Sequence, residues 1–104
     1  MSEKVHSTEA DLFKALGHPD RLKILELLRQ GERCVCEIYP VLGMVQPNVS
    51  RHLTALKKEG LLQSRKEGLK VIYCVSDERL YEIIDQASDI TRQIWQDKAA
   101  LVRY

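Results

Sequence analysis

The stretch "QPNVSRHLTALKKEGLLQSRKEGLKVIYCV", residues 46–75, decides the fold. In its first half Val49, Leu53 and Leu56 recur at helical spacing, which predicts a short amphipathic helix. From residue 61 onward, β-branched and aromatic residues flank a charged tip that contains a glycine, and this pattern predicts a β-hairpin. A short helix followed directly by a basic hairpin is the second half of a winged helix-turn-helix.

Three shorter helices are predicted before this stretch. Ser7 or Thr8 can cap the first, which runs to Leu16. The second starts around Pro19, because proline suits the first turn of a helix, and the third covers about residues 34–42. The third and fourth helices, joined by a turn that contains a glycine, complete the helix-turn-helix.

A long last helix is predicted over about residues 77–100, where apolar residues repeat at helical spacing. One amphipathic helix of this length exceeds what a chain of 104 residues needs to cover its own core. We therefore expect part of its apolar stripe to pack on a partner chain. The chain is predicted to be a single domain, residues 1–104, mainly α-helical with a small β-hairpin.

Composition and charge restrict the class of protein. Hydrophobic residues make up 44% of the chain and charged residues 30%, as in soluble globular proteins. We expect a cytoplasmic protein with no membrane partner, because no apolar run approaches the roughly 20 residues of a membrane helix and no signal peptide is recognisable. The net charge is only +1, yet residues 46–75 carry six Lys/Arg against two Asp/Glu. This local excess favours a polyanion such as double-stranded DNA as partner.

The candidate DNA-binding residues lie off the buried stripe of the fourth helix and on the hairpin. A helix fits the major groove, where polar side chains near its N-terminal end reach base edges, and basic residues of a hairpin tip reach phosphates. The candidates are Gln46, Asn48, Ser50, Arg51 and His52 for the groove, and Arg65, Lys66 and Lys70 for the DNA backbone.

Two of the three cysteines lie one residue apart in "RCVCEIYP", residues 33–40. We expect reduced thiols in a cytoplasmic chain with an odd number of cysteines. Two helical residues spaced in this way point about 200° apart, so a shared ion requires Cys34 to lie outside the first turn or the turn to distort. Pro40 weakens the helix further, because its nitrogen cannot donate to the carbonyl of Cys36.

Four blocks occur together in one order: "FKALGHPDRLKILELL", "CVCEI", "QPNVSRHLTALKKEGLL" and "RKEGLKVIYCV". Over roughly residues 8–95 they resemble the ArsR/SmtB family of metal-responsive repressors, and among these the arsenic-responsive repressor most. The resemblance implies a homodimer, built from the first and last helices, that represses transcription on an operator and leaves the DNA when an inducer binds.

The resemblance also implies a metal or metalloid site at Cys34 and Cys36. Arsenic repressors carry a third cysteine three residues on, where this chain has Tyr39, and Cys74 is the remaining candidate third ligand, beside a small exogenous thiol or water. The cysteines that cadmium and lead sensors add at the N-terminus are absent here. At the positions of the zinc site on the last helix of other members, this chain has Asp77, Arg79, Ile90 and Gln93. We expect As(III) or Sb(III) as inducer, because thiolates prefer soft ions, and no organic cofactor.

Several alternatives stay open. The cysteines could form a thiol redox or reactive-sulfur switch, or a cadmium or lead sensor, on the same DNA-binding scaffold. A protein-interaction module or a small thiol oxidoreductase that never touches DNA is a further alternative. We predict no enzyme otherwise, since Ser50 and His52 diverge on a helix and no third group supports catalysis. For His6 and His18 we expect local structural roles only.

Overall fold

The computed structural model describes the backbone of residues 2–102 and the side chains of residues 8–101. Five helices and three short strands follow one another along the chain. They are α1 (Ser2–Leu16), α2 (Pro19–Leu28), β1 (Arg33–Cys34), α3 (Val35–Leu42), α4 (Gln46–Lys58), β2 (Leu62–Glu67), β3 (Lys70–Val75) and α5 (Arg79–Val102). This is the predicted, mainly helical winged helix-turn-helix.

The hairpin is part of a three-stranded antiparallel sheet in the order β1, β3, β2. Strand β1 pairs Arg33 with Tyr73 and Cys34 with Ile72, and it was not predicted because two residues carry no readable alternation. The tip of the hairpin is also narrower than the charged segment, residues 65–70, that the sequence predicts for it. Gly68 turns the chain with a φ of 64°, so the segment before it belongs to β2.

One predicted helix start is wrong, and a second is displaced by two residues. The first helix begins at Ser2, so Ser7 and Thr8 lie inside α1 and do not cap it. The last helix begins at Arg79 and not at about residue 77, because the carboxylate of Asp77 accepts the backbone N–H of Arg79 at 2.9 Å and precedes the helix as a capping group.

The core lies where α2, α3 and α4 meet the ends of α1, β2 and α5. The predicted stripe of α4, Val49, Leu53 and Leu56, is fully buried, together with Ile24 and Ile38. These apolar side chains hold α4 on the body of the domain and leave its opposite face in solvent.

The beginning of α5 is anchored to α2. The hydroxyl of Tyr81 donates to the carbonyl oxygen of Leu25 at 2.7 Å, and the guanidinium of Arg29 lies 4.4 Å above the Tyr81 ring. The same guanidinium reaches the Asp85 carboxylate at 2.8 Å. Burial raises the pKa of Tyr81 to about 12. The rest of α5 extends away from this anchor, and no helix among residues 2–102 is long and apolar enough to cross a membrane.

Candidate nucleic-acid interface and thiol site

The exposed face of α4 carries most of the predicted groove contacts. Gln46, Asn48 and Arg51 are exposed and Ser50 is half-buried, all within the first two turns of the helix. The Asn48 carboxamide oxygen accepts a hydrogen bond from Arg51. The turn between α3 and α4 sets the orientation of this face. Gly43 ends α3 with a left-handed φ of 65°, and the chain turns there towards α4.

His52 differs from the other groove candidates because it faces α2. Its Nδ1 accepts a hydrogen bond from Nε of Arg21 at 3.2 Å, and its ring lies 4.4 Å from the ring of His18, between centroids. Burial, together with the nearby His18 and Arg21, lowers its pKa. His52 is therefore a neutral, half-buried side chain at neutral pH. Only the exposed edge of its imidazole ring is left to contact a DNA base.

The three basic residues of the hairpin differ in their surroundings. Arg65 is held by the carboxylate of Glu32 at 2.6 and 2.8 Å and by Glu67 at 3.1 Å. Glu32 belongs to the α2–β1 loop, and the ion pair lowers its pKa. Lys66 and Lys70 are exposed and make no ion pair within the described part of the chain. The prediction that Arg65, Lys66 and Lys70 lie at the tip is wrong, because Arg65 and Lys66 lie on β2 and Lys70 begins β3.

Cys34 lies outside the third helix and caps it. Its backbone is extended, with φ −71° and ψ 146°, and its Sγ accepts the backbone N–H of Cys36 at 3.1 Å. Glu37 completes a capping box by accepting the N–H of Cys34 at 3.1 Å. Of the two geometries that the sequence leaves open, the structure has the one without helix distortion. Glu37 was not predicted as a capping residue, although Cys-x-x-Glu fits the capping-box spacing with sulfur in place of the usual hydroxyl.

The expectation of reduced thiols does not hold for this pair in the structure, where Cys34 and Cys36 form a disulfide. Their Cα atoms are 5.1 Å apart, a separation that the extended backbone at the cap produces and that a disulfide accepts. Cys34 is buried and Cys36 is exposed, so a reagent reaches the pair from the side of Cys36. Cys74 is a free, half-buried thiol on β3, opposite Gln63.

A cavity of about 350 Å³ adjoins the cysteine pair. It lies between α3, the start of α4 and the beginning of β3. One space therefore touches the cysteine pair, the hairpin and α4, which is the recognition helix of the helix-turn-helix. Cys74 does not line it. The lining residues are Cys34, Val35, Cys36, Tyr39, Gln46, Ser50, Leu69, Lys70, Val71 and Tyr73.

Apolar side chains remain exposed on α1 and α5. On α1, Phe13 is 58% exposed, and on α5 Ile90, Ile94 and Trp95 are 58%, 45% and 68% exposed. Large apolar side chains on two helices leave a surface that an isolated chain does not cover. The sequence predicted this surface for α5 from the length of its apolar stripe.

Comparison with known proteins gives consistent similarities. Residues 18–64 match the model of the family described as bacterial regulatory protein, arsR family. An HTH-type transcriptional regulator of Methanocaldococcus jannaschii is 45% identical over 82 residues, which cover 78% of this chain and 92% of the relative. The arsenical resistance operon repressor of Escherichia coli is 47% identical over 66 residues, covering 62% of this chain and 56% of the repressor.

Among solved structures, the homodimeric winged helix-turn-helix DNA-binding domain of a possible ArsR-family regulator from Mycobacterium bovis superimposes with a TM-score of 0.78. It is 36% identical, and the match covers 85% of this chain and 84% of that domain. These similar proteins are transcriptional regulators and not enzymes, in agreement with the sequence analysis.

Proposed function

Because the chain belongs to the ArsR family of bacterial regulatory proteins, we propose that it is a metal-responsive repressor that binds operator DNA as a homodimer. As(III) or Sb(III), bound by Cys34 and Cys36, releases it from the operator. The observation that carries this proposal is the meeting of the two sulfur atoms at the N-cap of α3, beside a cavity that reaches the recognition helix.

The DNA-binding half of the proposal rests on exposure and charge. Gln46, Asn48 and Arg51 stand free of the core on α4, where a helix presents donors and acceptors to base edges. Lys66 and Lys70 stand free on the hairpin and supply phosphate contacts without sequence preference. The proposed interface also includes Ser50, His52 and Arg65, which should contribute less to DNA affinity. Ser50 and His52 are partly buried, and Arg65 is already paired with Glu32.

Dimerisation is proposed through α1 and α5. The exposed apolar residues on these helices would be buried by the same helices of a second chain. The similar M. bovis domain is homodimeric. A two-fold dimer would present two recognition helices to the two halves of an inverted-repeat operator.

The inducer site needs the reduced pair. Two thiolates suit a soft trivalent centre, and no change of the α3 backbone is required to bring them together. The third position is proposed to be filled by a small thiol or water from the adjoining cavity, since Cys74 does not line that cavity. The similar E. coli protein is named an arsenical resistance operon repressor, which supports arsenic as the first ion to test.

The coupling to DNA is proposed to run through the cap. An ion held by Sγ of Cys34 and of Cys36 fixes the direction of the sulfur that accepts the Cys36 N–H and so disturbs the capped first turn of α3. Only three residues, 43–45, separate α3 from α4, so movement of α3 is passed to the recognition helix. A coupling of about 1 to 3 kcal/mol is enough to change DNA affinity roughly 5-fold to 150-fold.

A thiol redox switch is the second candidate function, and the Cys34–Cys36 disulfide favours it. In that case the oxidised protein would be the released form and metal ions would have no effect on the reduced one. Cadmium or lead sensing would differ from the first candidate only in the ion that the two cysteines bind.

The deciding experiment is a gel-shift titration of the reduced protein on DNA from its own upstream region, with arsenite, antimonite, Cd²⁺, Zn²⁺ and an oxidant added in turn. We expect release by the trivalent ions, and a Cys34→Ser/Cys36→Ser variant that binds DNA but ignores them. Cys74→Ser is the matched control and should respond like the wild type. If the reduced protein keeps its DNA in trivalent arsenic and antimony but releases it on oxidation, the redox function replaces the metalloid function.

A further inference from the structure

A second group of ligand-type side chains lies between α2 and α4, away from the cysteines. His18 is the N-cap of α2, Asp20 is in its first turn and His52 is on the recognition helix. Ligand atoms from all three lie within 4.8 Å of one another. Nε2 of His52 is 3.9 Å from a carboxylate oxygen of Asp20. Each side chain is partly shielded from solvent.

The hydrogen bonds identify which nitrogen atoms remain for a ligand. Nδ1 of His18 accepts the backbone N–H of Asp20 at 3.1 Å, and Nδ1 of His52 accepts from Arg21. On each ring Nε2 is therefore the nitrogen that remains for a ligand, and Nε2 of His52 already faces the Asp20 carboxylate. The lowered pKa of His52 keeps this ring neutral at neutral pH, which is the form that binds metal ions.

We propose that His18, Asp20 and His52 bind a divalent transition-metal ion of the Zn²⁺ type. Two imidazoles and one carboxylate are a ligand set that zinc uses with a water molecule in the fourth position. Tetrahedral bonds of about 2.1 Å place ligand atoms roughly 3.4 Å apart. Because all the ligand atoms here lie within 4.8 Å of one another, side-chain rotation has to close no separation by more than about 1.4 Å. The site differs in chemistry from the cysteine pair, since nitrogen and oxygen ligands suit a harder ion than thiolates do.

A metal ion at this site changes the contacts that attach α4 to α2. Ligation through Nε2 moves the ring proton to Nδ1, so that neither ring can accept its present hydrogen bond. Arg21 is then released from His52, and the metal ion itself joins the recognition helix to the start of α2. An ion of this class therefore acts on the DNA-binding helix directly, without the cysteines and beyond the proposed As(III) or Sb(III) response.

The test is a Zn²⁺ titration against a chromophoric chelator, using a Cys34→Ser/Cys36→Ser/Cys74→Ser variant so that no thiol competes. We expect one Zn²⁺ ion per chain. His18→Asn, Asp20→Asn and His52→Asn, each added to this variant, should weaken binding at least tenfold. His18→Asn is chosen because asparagine is itself a good N-cap. The matched control is His6→Asn, which removes the remaining histidine of the chain and should leave the affinity unchanged.

A second measurement keeps the proposal testable if a substitution impairs folding. Imidazole ¹⁵N spectra of the thiol-free variant, recorded during the same titration, should show Nε2 of His18 and of His52 shifting together as one equivalent of Zn²⁺ is added. Absence of binding overturns the proposal. So does a site that survives Asp20→Asn and His52→Asn, or a spectrum in which only His6 responds.

Discussion

The basic residues of the hairpin should contribute unequally to DNA binding, and salt dependence measures the difference. Lys66 makes no ion pair with any residue whose side chain the structure describes, whereas Arg65 is paired with Glu32 and Glu67. A lysine that neutralises one phosphate contributes about 0.9 to the slope of log K against log salt, hence about 1.8 for the two copies in a dimer. Lys66→Ala should make the slope less steep by this amount.

The difference is large enough to measure. Between 50 and 200 mM salt, a slope change of about 1.8 corresponds to roughly tenfold. The wild type should therefore lose about ten times more affinity over this range than Lys66→Ala does. Fluorescence anisotropy on operator DNA and on a scrambled duplex gives both slopes, and the effect of Lys66→Ala should be equal on the two duplexes because a phosphate contact carries no sequence information.

Arg65→Ala is the matched comparison. Because the Arg65 guanidinium already has two carboxylate partners, its removal should change the slope much less than the removal of Lys66. Glu32→Gln leaves the guanidinium with Glu67 as its remaining carboxylate partner, so more of its charge faces phosphate, and both the affinity and the magnitude of the salt slope should rise. Equal slopes for Arg65→Ala and Lys66→Ala, with no effect of Glu32→Gln, would refute the reasoning that the ion pair survives in the complex.

Three further predictions concern stability and are measured by urea unfolding followed by circular dichroism. In the reduced protein, Cys34→Ala should lower the free energy of unfolding by about 1 kcal/mol, because α3 loses its cap. Cys34→Ser restores a capping oxygen and should lower it less, so equal losses for the two variants would argue against capping. Leu53→Ala should cost about 2 to 5 kcal/mol, because Leu53 is fully buried and its truncation leaves a cavity in the core, whereas a cost below 1 kcal/mol would show that the core collapses around it. Tyr81→Phe should cost about 1 kcal/mol for the bond to Leu25. The pKa of Tyr81 is about 12 in the fold against 10 in the unfolded chain, so its neutral hydroxyl stabilises the fold fully below pH 10, and this contribution to the free energy of unfolding is lost between pH 10 and 12. The wild type should therefore lose stability over this pH range, and Tyr81→Phe should not.

The sequence by itself determined the elements whose signals are local. Val49, Leu53 and Leu56 are buried as their spacing predicts, because helical periodicity alone decides which residues share a face. Gly43 and Gly68 turn the chain at a helix end and in a hairpin, where a left-handed φ favours glycine. Family membership followed from the same local blocks, since they occur in one order.

Only the tertiary structure decided which distant side chains meet. Glu32 and Arg65 are 33 residues apart, and Arg21 and His52 are 31 apart. No periodicity encodes such pairs, because they depend on where packed helices and paired strands bring their loops and ends. The position of Cys34 was decided in the same way. Pairing with Ile72 holds it in an extended backbone, and this pairing puts its sulfur at the cap of α3 and not on a turn of the helix.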